Sequence, residues 1–122
     1  MTALKKPKKR KRDYSAQADK LCGAIVRARG ACEAEGEHSG PLQWAHGFSR
    51  SYRAVRWDLR NGFCLCAGHH FWFTNHPLEW DNWLQEKWGA DLYIVMRRRA
   101  VNAGGGKTDP RSLVDELKAA AA

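Results

Sequence analysis

Apolar positions in this chain fall into short runs whose spacing alternates between helical and extended periods. Between Ser15 and Arg29, the residues Ala18, Leu21, Cys22, Ile25 and Val26 recur three and four apart. That spacing predicts a helix with one apolar stripe, stopping near Gly30. A Gly- and Glu-rich loop runs to Gly40 and carries Cys32 and His38. Pro41 to Phe48 reads as a short strand ending at Gly47, and Ser49 to Arg56 as a polar loop. The Asn61-Gly62 pair favours a tight turn. Phe63 to Cys66 is short and apolar, as a buried strand is, and Ala67 to Thr74 resembles the start of a helix. Pro77 suits the first turn of another, whose inner face is Leu78, Trp80, Trp83, Leu84 and Trp88, before Gly89. A further helix is expected from Asp91 to Asn102. Gly104 to Gly106 then forms a hinge, and Asp109-Pro110 opens a last helix with Leu113, Val114 and Leu117. The six Trp are mostly core on this reading, and no internal repeat is visible.

Length narrows the architecture. A chain of 122 residues is one small domain with a thin core, a size at which domains often recruit a metal or disulfide. No apolar run approaches the roughly 20 residues of a membrane-spanning helix. The N-terminus lacks the apolar stretch of a secretory signal, so a reducing cytoplasm is the default expectation.

Charge is concentrated at one end. The net charge is +8, and the first twelve residues contain Lys5, Lys6, Lys8, Lys9, Arg10, Lys11 and Arg12 without an acid. Residues 1–13 therefore read as a disordered basic arm, and 14–122 as one folded domain. The arm, Lys8, Lys9 and Arg10 included, suits a polyphosphate backbone, giving salt-sensitive binding without sequence readout. A solubility tail is the plainer alternative. Either way the arm says nothing about catalysis.

Cysteine and histidine carry the first candidate chemistry. Four Cys in a reducing compartment suggest a metal site more than a disulfide framework. Cys22 lies on the apolar stripe and reads as a core thiol. Cys66-Ala67-Gly68-His69 has the C-x-x-H spacing of a metal knuckle, with Cys32 as its distant partner. A tetrahedral zinc needs a fourth ligand. His38 and Glu35 both qualify, with His38 preferred because imidazole binds zinc better than carboxylate. The competing reading leaves these residues unrelated and no structural zinc.

A second constellation is His46, Asn61 and His70, set in Leu42-Gln43-Trp44-Ala45-His46-Gly47-Phe48-Ser49-Arg50, then Arg56-Trp57-Asp58-Leu59-Arg60-Asn61-Gly62, then Leu65-Cys66-Ala67-Gly68-His69-His70. In these segments the chain resembles the HNH endonuclease family, specifically its small phage-type members, over about Asp19 to Gly89. The resemblance implies an α+β protein: a ββα-metal core at about residues 30–76 and additional helices at about 77–120. It implies that His46 is the general base, that Asn61 braces the long loop and orients that base, and that His70 holds one catalytic divalent ion, Mg, Mn, Ni or Zn. Phosphodiester hydrolysis independently calls for such groups: a base titrating near neutrality and a cation to offset charge on the phosphorane.

Two departures from the family pattern stand out. Ala45 occupies the place where many members carry an Asp or His metal ligand, and His69 with Glu35 replaces part of the usual four-Cys zinc set. Thr74, His76, Glu79 and Asp81 lie near enough in sequence to be considered as ligands, and His46 itself is a further option. Arg50, Arg53, Arg56 and Arg60 occupy the loop between the strands and suit phosphate contacts, the plainer alternative being that some are surface charges or pair with Asp58. Arg97 to Arg99 extend that surface or complement a helix end. The function expected is a DNA endonuclease, phage or prophage encoded and active in the host cytoplasm, serving DNA packaging or recombination alongside proteins of those processes. The alternative is a non-catalytic zinc module that binds nucleic acid, with an interaction subunit of a packaging motor as a third reading. Nothing in the sequence identifies a dimer face.

Overall fold

The computed structural model describes residues 13–102 and 109–121; the basic arm with Lys8, Lys9 and Arg10, and the Gly104–Gly106 hinge, lie outside the described residues. The architecture is mixed: a two-stranded antiparallel sheet surrounded by helices. That agrees with the α+β class that the resemblance implies, at the level of mixed helix and sheet. No helix among the described residues is long and apolar enough to cross a membrane.

Helix α1 (Tyr14–Arg27) starts where the Asp13 carboxylate accepts from the Ala16 N–H at 3.0 Å, satisfying one of the free amides of the first turn. Its stripe buries Ala18, Cys22 and Val26. Strand β1 (Leu42–His46) pairs antiparallel with β2 (Gly62–Cys66), Leu42 opposite Cys66 and His46 opposite Gly62. Strand alternation sends Trp44 to the α1 side, where it packs beside Ala18, Cys22 and Trp57. Ala45, Phe63 and Leu65 go to the other side, with Leu84, Trp80 and Trp83. Every residue of β2 is buried, so the small sheet is the centre of the molecule.

Helix α3 (Ala67–Thr74) begins directly at the end of β2, and Cys66 is its N-cap, the thiol accepting from the His69 N–H at 3.4 Å. Helices α4 (Pro77–Trp88) and α5 (Ala90–Val101) follow, joined at Gly89 with φ of +77°. Helix α6 (Pro110–Ala121) returns to α1 and closes that cluster with Val114 and Leu117.

The tight turn expected at Asn61-Gly62 is a 3₁₀ turn, the Gly62 N–H donating to the Leu59 carbonyl, and does not by itself join the strands. The strands are joined by residues 47–61, which hold a short helix α2 (Arg53–Arg56) and a 3₁₀ turn (Leu59–Asn61). Gly62 opens β2 with extended backbone, φ −105°. Glycine is required there for space, because a Cβ would lie 2.9 Å from Val26 and 3.0 Å from Trp44. The Trp residues also divide: Trp57 is buried, whereas Trp72 is 45% exposed.

Asn61 is the buried polar residue that organises the connection. Its Oδ1 accepts from the Phe48 N–H at 2.7 Å, and its Nδ2 donates to the carbonyls of Phe48 (3.0 Å) and Val55 (3.1 Å). Its own carbonyl accepts from the Gly47 N–H at 2.7 Å. One side chain thus ties both ends of the loop together. Asn61→Ala strands three backbone groups and is expected to destabilise the protein by about 2–4 kcal/mol in chemical denaturation. A loss below about 0.5 kcal/mol, within the range of an unremarkable surface change, would contradict the bracing role.

Candidate metal centre and adjacent histidine cleft

The loop after α1 is pinned along β2 before it delivers a ligand. The Glu33 N–H donates to the Cys64 carbonyl at 2.8 Å, and the Glu33 carboxylate accepts from the Cys64 N–H at 2.6 Å. Arg29 adds bonds to the carbonyls of Gly62 (2.7 Å) and Leu59 (3.0 Å). Cys32 is thereby brought beside Cys66. The return of the loop requires close backbone approach to α3. Gly40 has φ of +78°, and a Cβ there would sit 2.7 Å from the Ala67 Cβ.

Four side chains converge as a result. The donor atoms of Cys32, His38, Cys66 and His69 all lie within 4.8 Å of one another. His69 Nδ1 is 3.2 Å from Cys66 Sγ, 3.4 Å from Cys32 Sγ and 3.3 Å from His38 Nδ1. One imidazole nitrogen offers either one proton or one lone pair, so hydrogen bonding cannot satisfy three such neighbours. A tetrahedral ion with bonds of about 2.0–2.1 Å to nitrogen and about 2.3 Å to sulfur sets edges of roughly 3.3 Å for N···N and roughly 3.6 Å for N···S. The observed separations approach those edges, and the group can hold a metal such as zinc. Burial opposes ionisation of Cys66, but the N–H groups of His69 and Ser39 and the side chains of His38 and Cys32 outweigh it and hold the thiol down at about 6.

His38 therefore joins the group and Glu35 does not; Glu35 is exposed and lines a separate cleft with Glu33, Phe73 and Trp83. Cys22 is a core thiol, as expected: it is 1% exposed, with its Sγ 3.6 Å from the Trp57 carbonyl and its pKa pushed up by burial to about 12. Cys64 is also buried outside the group, and burial raises its pKa.

His46 and His70 line one small cleft of about 70 Å³ with Ala45, Leu65, Phe73, Thr74 and Trp80. They reach it from different sides. His70, in the first turn of α3, sets Nδ1 2.8 Å from Gln43 Oε1. His46, at the end of β1, leans its ring on Trp44 with centroids 4.1 Å apart. No hydrogen bond or ring contact joins the two imidazoles. The Nε2 of His46 is buried and has no hydrogen-bond partner among the described residues. Burial, against the opposing pull of a hydrogen bond to the Arg56 backbone, brings the pKa of His46 down to about 4. The ring is neutral at pH 7, and its titration falls well below the neutral range anticipated for a base.

Other expected ligands are occupied elsewhere. Thr74 donates to the His70 carbonyl at 2.7 Å, and His76 stacks on Trp72 with centroids 4.0 Å apart. Asp81 accepts from Gln85 at 2.8 Å and from the Tyr93 hydroxyl. Neither His76, Glu79 nor Asp81 lines the cleft.

The four loop arginines also divide. Arg56 is paired with Asp19, which also accepts from Trp57 Nε1 at 2.9 Å; with a side chain only 14% exposed, it holds α2 to α1 and is not free for phosphate. Arg60 bonds the Asp58 carboxylate through two nitrogens, at 3.1 and 2.8 Å, and Arg99 reaches the same carboxylate at 2.6 Å. Arg53 lies over the Trp57 ring at 5.2 Å. Arg50 is 66% exposed and 3.6 Å from Asp19. Asp58 is the partner that sequence reasoning offered for these arginines, whereas it missed Asp19 and Gln43. Asp19 pairs with Arg56 across 37 residues, a separation that carries no local signal. Gln43 was legible, since alternation puts it on the same side of β1 as Ala45.

Compared with known proteins, the chain matches no family model, no curated protein and no solved structure.

Cobalt titration of the metal-free chain is expected to give tetrahedral visible bands and a thiolate charge-transfer band saturating at about one ion per chain, with Cys66→Ser weakening both. Saturation without a thiolate band would contradict the four-residue group. The acid side of the stability curve gives a second test. Between pH 6.5 and 4 the unfolded chain binds a proton that folded His46 refuses, so stability present above about pH 6.5 is lost as pH falls toward 4. His70, whose pKa burial also lowers, adds in the same direction. Denaturation midpoints of His46→Gln should fall less steeply over this window than those of wild type; parallel slopes would refute the buried neutral imidazole.

Proposed function

We propose that the chain is a metal-dependent DNA endonuclease of HNH type, hydrolysing phosphodiester bonds, phage or prophage encoded and serving DNA packaging or recombination. The observation that carries this reading is the buried, unpartnered Nε2 of His46 in a cleft shared with His70. A buried polar atom without a partner is rare in folded proteins and calls for an explanation such as a bound group or a catalytic role. The chain order of β1, β2 and α3, with α2 held in the loop between the strands, and the Asn61 brace support a ββα-metal core. A zinc in the Cys32, His38, Cys66 and His69 group fits a stapling role one residue from His70.

The roles follow from the chemistry of each side chain. His46, neutral at pH 7, has a lone pair to take a proton from an attacking water. His70 would hold the divalent cation, with His46 the other donor lining the cleft. Such a cation, Mg, Mn, Ni or Zn, offsets negative charge on the phosphorane and the leaving oxygen. Asn61 fixes the loop that follows His46, so the base keeps its place when DNA binds. Arg50 and Arg53, both exposed and outside the close Arg56–Asp19 and Arg60–Asp58 pairs, suit phosphate contacts, with the basic arm adding salt-sensitive affinity.

A second reading is favoured by specific observations: Ala45 offers no ligand, the cleft is small, and His46 is held against Trp44 at low pKa. Under it the chain is a non-catalytic zinc module that binds nucleic acid.

Supercoiled plasmid incubated with Mn²⁺ or Mg²⁺ is expected to be nicked or linearised and to be protected by EDTA. His46→Ala should abolish cutting by at least about 100-fold while DNA retention on a gel persists. Retention without cutting, with every divalent ion tried, would transfer the assignment to the binding module. Removal of residues 1–12 should weaken binding and flatten its salt dependence, leaving the single-turnover rate at saturating DNA unchanged. An equal loss in that rate would contradict the separation of arm and site.

A further inference from the structure

Gln43 has no part in the proposed chemistry, yet among the described residues it makes the one side-chain hydrogen bond to the His70 ring. We propose that Gln43 is a positioning residue: its side-chain carbonyl accepts the His70 Nδ1 proton, fixing the tautomer in which Nε2 carries the lone pair for the cleft. This deepens the nuclease reading and rests on it only for the use made of that lone pair.

The geometry supports the direction of the bond. Oε1 and Nδ1 are 2.8 Å apart, a normal distance for a neutral N–H···O bond. Gln43 sits in β1 opposite Leu65, on the side of the strand that faces α3, so its backbone is held by the sheet. The backbone of His70 is held as well, through α3 and the Thr74 hydroxyl on its carbonyl. Two fixed supports leave the ring little freedom about this bond.

The alternative arrangement is disfavoured by the cleft. Were the Gln43 amide reversed, its N–H would donate to Nδ1, and the proton would move to Nε2. An Nε2–H would then face the cleft lined by Ala45, His46, Leu65, Phe73, Thr74 and Trp80 in place of a lone pair, and would repel a cation. With Oε1 toward the ring, the N–H is satisfied and the lone pair points where a cation can use it. Hydrogen bonds of this kind to the far nitrogen of a metal-binding histidine set ring orientation and basicity, and their loss typically weakens metal affinity 10- to 100-fold.

The test reads the ring directly. Long-range ¹H–¹⁵N correlation spectra of the full chain at pH 8, with His70 assigned by its absence in His70→Gln, should show a protonated Nδ1 and an unprotonated Nε2. Gln43→Leu should shift His70 toward the Nε2–H tautomer preferred by free imidazole, and Gln43→Glu, which keeps an acceptor, should restore the wild-type pattern. Mn²⁺ titration followed by broadening of the His70 signals should show affinity falling about tenfold in Gln43→Leu and recovering in Gln43→Glu. A wild-type ring protonated on Nε2, or a tautomer unaltered in Gln43→Leu, overturns the proposal. The wild-type spectrum decides even if Gln43→Leu folds poorly. A chain that shows the Nδ1–H tautomer and the Mn²⁺ dependence but cuts no DNA retains the Gln43 assignment and loses the nuclease reading.

Discussion

Cys66 ends β2, caps α3 and contributes a sulfur to the Cys32, His38, Cys66 and His69 group. Few residues in a small protein couple strand, helix and loop so directly. Because His69 and His70 are adjacent in the first turn of α3, any force that fixes His69 in the group also fixes the helix from which His70 projects. The cleft depends on that junction. With a chain of this length, the sheet has two strands and the three apolar clusters are small, so local staples carry weight that a larger core would otherwise supply.

Asn61 works on the other flank in the same way. The group clamps the loop that precedes β1, and Asn61 clamps the loop that follows it, so the His46 end of β1 and the His70 end of α3 are each tied to a well-bonded junction. Trp80 and Trp88 reinforce the second clamp by donating their indole N–H groups to the carbonyls of Gly47 (2.8 Å) and Arg60 (3.0 Å). Trp80 also lines the cleft, so the core and the candidate site share a wall. Substitutions in that wall will couple stability to any activity the cleft has.

Much of this was legible in the residues alone. The apolar pattern located α1, α4, α5 and α6 to within a few residues, but not every face residue: Leu78, expected inside α4, is exposed, and α5 buries Met96 and Ala100. The C-x-x-H knuckle and Cys32 are visible as spacing. The choice between His38 and Glu35 is not, because it depends on how the glycine-containing loop turns back at Gly40. The Asn61-Gly62 pair marked a turn correctly, while the length of the connection around it did not show in the pair, because it rests on the buried Asn61 side chain bracing residues 47–61. Pairing of Arg60 with Asp58 was legible as a local contact, whereas Arg56 misled because its partner Asp19 comes from α1, and pairing removes much of its availability. Burial of His46 against Trp44, and the acidic shift that follows, is a tertiary effect that no local pattern reports.

The proposed function implies two separate metal positions a residue apart along α3, one closed by cysteine and histidine and one opening toward His46. Crystals of the chain grown with zinc and soaked in Mn²⁺, with anomalous diffraction recorded at both absorption edges, test it directly. The account predicts a zinc peak enclosed by Cys32, His38, Cys66 and His69, and a separate manganese peak at His70 Nε2 within the cleft shared with His46. A manganese peak remote from both imidazoles, or a zinc peak without Cys66 among its ligands, would contradict it.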